Sequence, residues 1–296
     1  MRIVIAGSES FIGKELKQHC RARNIEFIGL DLAPSKEAGH HQVDIRSPEV
    51  DQAIPQNADA LIHLAAISRD QDCRKDPIRA FDVNVGGTLN LIRTAQARKV
   101  KQFVFASSEW VYGNVQNVGI QTEDSVIDAA CITSEYALTK IVGERLLNMA
   151  YQRGFCAVTV LRFGIVYGPR TVPLSAVEGL FNEVRTQSSV EVKGSLSTVR
   201  RFVHVSDIAE GILSALGQGG YEIFNLSGNT LITLRDVIEQ SAALLNRHPT
   251  VIETDPQNIS IRNPDNQKAR KVLGWEPKID LARGLSSLLT FQERQG

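Results

Sequence analysis

The stretch "RIVIAGSESFIG", Arg2 to Gly13, decides how the rest of the chain is read. "RIVIA" is a β-branched run without alternation, the pattern of a parallel strand buried on both faces. A turn follows with Gly7 and Gly13 in place but Ser10 between them, and then "SFIGKELKQHCRAR", in which Phe11, Ile12, Leu16 and Cys20 recur near helical spacing. Strand, glycine turn and helix together form the phosphate-binding unit of a doubly wound fold. The first glycine permits the turn, the last lets the helix pack closely, and the helix N-terminus offers N–H groups and a positive dipole end to a pyrophosphate. Cofactor contacts are therefore expected at Gly7, Ser10, Phe11, Ile12 and Gly13. Ser10 is the smallest polar replacement for glycine and a favoured N-cap, with a hydroxyl free to donate to a phosphate oxygen. About 20 residues on, such units carry an acidic residue for the ribose 2′-hydroxyl. "EFIGLD" ends at Asp31, followed by Leu32 rather than a basic residue. A carboxylate there repels a 2′-phosphate, so the expected dinucleotide is NAD rather than NADP.

Outward from this unit, "ALIHLAA", "KQFVFASS" and "CAVTVLRF" read as strands. They alternate with a helical pattern from Pro77 to Arg98 and another over "SEYALTKIVGERLLNMA". This repetition predicts an α/β chain with a Rossmann-type doubly wound parallel sheet covered on both faces. After Arg162 the rhythm loosens at Gly168 and Pro169. A helix from Ser175 to Thr186, a strand and helix in "RRFVHVSDIAEGILSAL", a strand in "YEIFNLSG" and a helix in "LITLRDVIEQSAALL" follow. The tail "KARKVLGWEPKIDLARGLSSLLTF" holds two helical segments around a Gly-Trp turn. The expected organisation is a dinucleotide-binding domain over 1–165, with 201–226 returning to it, and a smaller mixed α/β lobe for substrate over 166–296.

Composition narrows the function. Among 296 residues, 33 Lys+Arg balance 33 Asp+Glu, which argues against a general nucleic-acid surface. The 4 cysteines are scattered without a C-x-x-C pair, so they read as buried reduced thiols, and no metal site is expected. The adjacent His40 and His41 read as loop residues, His63 and His204 as structural histidines, and Phe163 and Phe202 as core. The N-terminal apolar run is too short for a signal peptide and no stretch approaches the ~20 apolar residues of a membrane span. A cytoplasmic location is expected.

Two further segments carry chemistry. "SEYALTK" puts Tyr136 and Lys140 four apart on one helix face. "FASSEWVYG" sets Ser107 and Ser108 at a strand end, where the crevice of such a sheet opens. With these in view the chain resembles the extended short-chain dehydrogenase/reductase family, which includes nucleotide-sugar epimerases and dehydratases. The likeness runs nearly end to end: the glycine turn, "DI" at Asp44-Ile45, "HLAA" at His63 to Ala66, "NVGGT" at Asn84 to Thr88, "SSEWVYG", "YALTK", "LRFGIVYGP", "RRFVHVSD" and "KARKVLGWEP".

That resemblance implies NAD held by the glycine turn and Asp31, with Asp44, Ile45, Leu64, Ala65, Ala66 and Asn84 lining its site beside Tyr136 and Lys140. Tyr136 would be the acid/base, Lys140 would lower the tyrosine pKa and hold the nicotinamide ribose, and Ser108 would hydrogen-bond the reacting oxygen. In the family's 4,6-dehydratases the two residues after the Ser/Thr resemble Asp-Glu. Here they are Glu109 and Trp110, so dehydration is disfavoured and Glu109 is a candidate for proton handling or for a sugar hydroxyl. Arg200 and Arg262 would hold the diphosphate of a nucleotide sugar. Two departures stand nearby: Arg201 where the pattern has Asp, and Ile165 where it has Asn. The implied activity is NAD-dependent nucleotide-sugar epimerisation by transient oxidation at a sugar carbon, expected to be C4. The alternatives are a nucleotide-4-keto-sugar reductase or dehydrogenase and, from another class, a non-catalytic NAD-binding regulator. A homodimer through the helices of "NVGGTLNLIRTAQ" and "YALTKIVGERLLNMA" is expected by family analogy.

Overall fold

The computed structural model describes residues 1–113, 119–172 and 175–294. The chain opens with β1 (Arg2–Ala6), α1 (Phe11–Ala22), β2 (Glu26–Asp31), β3 (His40–Gln42), α2 (Val50–Ala53) and β4 (Ala60–His63). It continues with α3 (Asp70–Lys75), α4 (Pro77–Phe81), a π-helical turn (Asp82–Gly86), α5 (Gly87–Ala97), β5 (Gln102–Ser108) and α6 (Glu135–Gln152). Then come β6 (Ala157–Phe163), β7 (Val166–Tyr167), α7 (Ala176–Thr186), β8 (Ser189–Val192), β9 (Val199–Arg200), β10 (Val203–His204), α8 (Val205–Ser214) and β11 (Tyr221–Leu226). The last elements are β12 (Ile232–Thr233), α9 (Leu234–Leu245), β13 (Thr250–Glu253), α10 (Gln267–Leu273) and α11 (Leu281–Glu293).

Seven strands form one sheet in the order β11-β6-β5-β4-β1-β2-β3. β1 pairs in parallel with β2 on one side and β4 on the other, and β2/β3 and β4/β5 are parallel as well. This is the Rossmann-type doubly wound order, and it reverses between β1 and β4, where such sheets open a crevice beyond the strand C-termini. Ala6 lies level with Leu30 and His63, so the C-terminal ends of β1, β2 and β4 stand side by side.

His40 and His41 correct the loop expectation. They belong to β3, a three-residue edge strand paired with Gly29 and Leu30. An edge strand bonds on one side only and carries polar residues without an apolar alternation to announce it. The long helical pattern from Pro77 is α4, the π turn and α5 in succession.

The chain divides into two compact units: Met1–Asn114, Glu123–Arg162 and Ala209–Phe224 in the first, and Val115–Thr122, Phe163–Ile208 and Asn225–Gly296 in the second. The first has a core that includes Val4, Leu30, Leu61, Leu91, Phe103, Phe105 and Val160. The second has its own around Tyr167, Phe181, Val190, Phe202, Val237 and Leu285. Helix starts follow capping chemistry: Ser134 accepts the Ala137 N–H at the head of α6, and Thr233 and Asp236 form a reciprocal box at α9. The cysteines are free, but only Cys20 and Cys73 are buried, while Cys131 and Cys156 are half-buried. Among the described residues no helix is long and apolar enough to cross a membrane.

Candidate active site

The glycine turn is set by contact distances. Gly7 has φ +90°, and a Cβ on it would stand 2.6 Å from the Ala65 N. The Leu64 and Ala65 N–H groups both donate to Ala6 O, at 2.8 and 2.9 Å, which presses the "HLAA" segment against the turn. A Cβ on Gly13 would lie 2.2 Å from Gly7 O, so α1 packs onto the turn with no room for a side chain. Ser10, between them, has φ −65° and ψ 167°, a conformation open to any residue. It is the N-cap of α1: Oγ accepts the Gly13 N–H at 3.1 Å and donates to Gly7 O at 2.6 Å. The hydroxyl proton expected to reach a phosphate is therefore directed to the turn itself. Phe11, Ile12 and Gly13 form the first turn of α1, where N–H groups have no intrahelical acceptor.

Asp31 ends β2 with Oδ2 accepting the Glu9 N–H at 2.8 Å and Oδ1 accepting the Ala33 N–H at 2.9 Å. A carboxylate has about four acceptor sites, so these two bonds leave capacity for ribose hydroxyls. Beside it the buried Lys17 ammonium bonds the carboxylates of Glu9 and Glu37, a cluster absent from the sequence reading. Burial works against the Lys17 charge, but the two glutamates outweigh it and the net shift is upward. Asp44 is gripped by Arg46, whose hydrogen bonds hold its carboxyl below the usual range despite burial. Ile45 is buried next to Gly87. Asn84 sits in the π turn, where its amide accepts the Ile67 N–H at 2.8 Å and donates to Ile67 O at 3.0 Å and Thr139 Oγ1 at 3.1 Å. It thus fixes the segment that follows Ala66.

The residues of the catalytic expectation meet at the end of β5. Ser108 hydrogen-bonds the Tyr136 phenol, and this opposes a strong upward push on that phenol from burial, to which the nearby Cys73 adds. Lys140 lies with Nζ 5.7 Å from the Tyr136 ring centroid and 4.9 Å from that of Phe105. It donates to Ala106 O at 2.7 Å. Burial lowers the Lys140 ammonium to about 8, against the opposing influence of Cys73 and Glu144. Glu109 and Trp110 open a short 3₁₀ turn, Glu109 fully buried and Trp110 partly exposed. His63 is buried near Lys140, meets Thr88 Oγ1 at 2.9 Å and is pushed down to about 3, chiefly by burial.

In the second unit, Ile261 bridges to Val199 and the Arg262 N–H donates to Val199 O at 3.2 Å, which brings the backbones of Arg200 and Arg262 alongside. Arg262 is buried. The Arg200 guanidinium donates to Val199 O and Ser260 O, both at 2.7 Å, and to Ser260 Oγ at 3.0 Å. Arg201 is tied to Asn263 Oδ1 at 2.6 Å, Gly228 O at 3.2 Å and Asn229 O at 2.6 Å. Ile165 packs against the apolar core of the unit. His204 is buried, donates or accepts at Ser287 Oγ across 3.2 Å, and is pushed down to about 4 by burial.

Sequence reasoning missed Glu144 and Arg162, a buried pair beneath the β5 end. The signals were present. Glu144 falls four after Lys140, and Arg162 is a lone charge in the apolar run "AVTVLRF". A charge buried in such a run must be paired.

Comparisons with known proteins place the chain among its relatives. The chain is 28% identical over 269 residues to a UDP-glucuronate 4-epimerase of Thermodesulfobacterium geofontis, covering 89% of this chain and 82% of that protein. It is 28% identical over 313 residues to UDP-glucuronic acid decarboxylase 4 of Arabidopsis thaliana, covering 99% of this chain and 69% of that protein. The Thermus thermophilus UDP-glucose 4-epimerase, solved in complex with NAD, superposes with a TM-score of 0.85 at 28% identity over 99% of each chain. Residues 3–227 match the NAD dependent epimerase/dehydratase family over most of the chain, and the chain belongs to that family.

Proposed function

We propose that the protein is an NAD-dependent nucleotide-sugar 4-epimerase acting on a UDP- or dTDP-hexose. The observation that carries this reading is the meeting of Ser108, Tyr136 and Lys140 at the C-terminal end of β5, in a chain of this family. The turn from Gly7 to Gly13, the first turn of α1 and the remaining acceptor capacity of Asp31 fit a dinucleotide, and Ile45, Leu64, Ala65 and Ala66 fit its adenosine and nicotinamide neighbours. When bound, NAD supplies a hydride acceptor that is regenerated within each turnover.

The chain's own residues handle the protons. Tyr136 takes the proton from the sugar C4 hydroxyl and returns it to the oxygen when the opposite face is reduced. Its phenol is pushed up by burial, so a positive neighbour is needed to favour phenolate. Lys140, at about 8, remains mainly charged at neutral pH and serves that need while reaching the nicotinamide ribose. Ser108 hydrogen-bonds the same sugar oxygen. Trp110 supports epimerisation over 4,6-dehydration, because an indole offers no base for the C5 proton. Glu109 orients a sugar hydroxyl, and Arg200 and Arg262 hold the diphosphate. Leu89 on α5 and Leu138 and Met149 on α6 are exposed, which supports a homodimer across these helices. We place the enzyme in the cytosol.

The test is to incubate the purified NAD-loaded protein with UDP-glucose, UDP-glucuronate and dTDP-glucose without added reductant. The expected result is a C4 epimer of one of them with no net change in nicotinamide absorbance. Steady consumption of added NADH with a 4-keto sugar would select the reductase instead, and release of carbon dioxide from UDP-glucuronate would select a decarboxylase. Light scattering on the same sample reads the dimer.

A further inference from the structure

Three successive residues of β5 are bonded to three residues of α6. Ser108 hydrogen-bonds the Tyr136 phenol. Ala106 O accepts from Lys140 Nζ at 2.7 Å. Ser107 Oγ donates to Glu144 Oε1 at 2.5 Å. Positions 136, 140 and 144 fall at successive helical turns, so one face of α6 stitches the strand end. The first two stitches involve the catalytic candidates themselves. The third does not, yet it is the most heavily braced. Arg162 from β6 grips Glu144 in a bidentate way, Nε to Oε1 at 3.0 Å and Nη2 to Oε2 at 2.8 Å. Its Nη1 also reaches Tyr112 Oη at 3.1 Å and Glu123 O at 3.3 Å. The guanidinium lies 5.0 Å from the Tyr112 ring centroid.

The Arg162 and Glu144 side chains are 3% and 5% exposed. A buried pair of this kind is weak as a stabiliser, since an apolar replacement of similar volume is often as stable or more so. What the pair does give is direction: a fixed carboxylate aimed at one hydroxyl. Ser107 is the residue before Ser108, and Tyr112 closes the short turn that begins after it. The braced carboxylate therefore bonds the residue directly before Ser108, at the strand end.

We propose that Ser107, Glu144 and Arg162 are positioning residues that lock the end of β5 to α6, so that the Ser108 hydroxyl stays in register with the Tyr136 phenol. The catalytic consequence rests on the epimerase reading; the positional one does not. A displacement of about 1 Å at a reacting group can lower a rate by up to ~10²-fold, so removing one stitch should act on turnover rather than on affinity.

The test uses the full-length NAD-loaded enzyme. Ser107→Ala is expected to lower kcat about 10-fold with KM for the UDP-sugar within about twofold, and Ser107→Thr, which keeps the hydroxyl, to recover most of the loss. Because the hydroxyl acts through Glu144, Ser107→Ala should add little to Glu144→Gln in the double variant. Crystal structures of wild type and Ser107→Ala should show Ser108 Oγ displaced from the Tyr136 phenol in the variant. Unchanged kcat with Ser108 in place, additive losses in the double variant, or a loss that Thr does not recover would each overturn the proposal. If the wild type epimerises none of the sugars, the epimerase reading fails, and the crystallographic displacement alone still decides the positioning role.

Discussion

The nucleotide turn and the arginine corner of the second unit both depart from the family pattern, and the two departures are absorbed by different physics. In the turn, Ser10 stands where a glycine is usual, but its φ of −65° makes no demand for glycine and its hydroxyl closes the N-cap of α1. The positions that do demand glycine, Gly7 and Gly13, have kept it, with backbone atoms 2.6 and 2.2 Å from a would-be Cβ. In the corner, Arg201 replaces an acid, and its guanidinium is taken up by three oxygens of Asn263, Gly228 and Asn229. Ile165 replaces an amide and joins the apolar core. A departure in the turn is judged by backbone conformation and space. One in the corner is judged by where the polar atoms of a long side chain go.

Gly13→Ala would break the turn side of this comparison most severely. The added methyl meets Gly7 O, on a residue whose N–H is tied to Leu30 O at 2.7 Å, so the helix must lift from the turn. Overpacking of this sort costs ~1–3 kcal/mol, and the expected readout in calorimetric titration is NAD affinity lowered by about 10- to 100-fold. Retained affinity would mean that the turn is far more pliant than its contacts imply.

The corner is sharpened by a pair of variants. Arg262→Met should weaken UDP binding by about 10- to 100-fold, the worth of a charge-assisted hydrogen bond, with little change in melting temperature. Arg201→Met should do the reverse. It leaves three oxygens without their donor and should destabilise by ~1–2 kcal/mol, while UDP affinity stays within about threefold. Titration and thermal unfolding of both variants check this; equal effects on affinity would merge Arg201 with the arginines proposed to hold the diphosphate.

Charge sets the arginine corner apart from the β5 end as well. Arginines stay charged across the working range, whereas the lysine at the β5 end does not. Lys140 is lowered by burial from 10.5 to about 8 in the folded protein. Between those values the unfolded chain holds a proton that the native state has shed, so this group's contribution to stability rises with pH through that window. Below about 8 both states are protonated, and the native protein carries a buried charge in full. Lys140→Met should therefore be more stable than wild type near pH 7, and the advantage should shrink by about pH 10, as read by urea unfolding at both values. A pH-independent difference would assign the effect to the lost bond with Ala106 O.

The same contrast explains what was legible in the sequence. β1, β4, β5 and β6 announce themselves as largely apolar runs because they are buried on both faces, and Tyr136 and Lys140 share a helix at a spacing that can be read directly. β3 stayed hidden because an edge strand of His40, His41 and Gln42 has no apolar signature. The π turn at Asp82–Gly86 was unreadable because the apolar spacing continues across it. Glu144 and Arg162 each stood out locally, but their pairing joins different elements 18 residues apart, so no local pattern encodes the partner. Local periodicity reports burial, whereas the partners of a buried charge are a property of the assembled fold.

The smallest effect is expected where the sequence looked most defective. Ser10→Gly removes the bond to Gly7 O at 2.6 Å and the acceptor for the Gly13 N–H at 3.1 Å. Exchanging serine for glycine at an N-cap costs only a few tenths of a kcal/mol. The hydroxyl already has a donor and an acceptor partner within the turn, so it has no proton left for a phosphate unless the turn gives one up. NAD affinity in Ser10→Gly should accordingly stay within about threefold of wild type, less than the 1.4 kcal/mol that a tenfold change requires. Titration of both proteins decides it: a loss beyond about tenfold would show that the hydroxyl turns to the cofactor on binding, and that the turn, like the arginine corner, must be judged by where its polar atoms go.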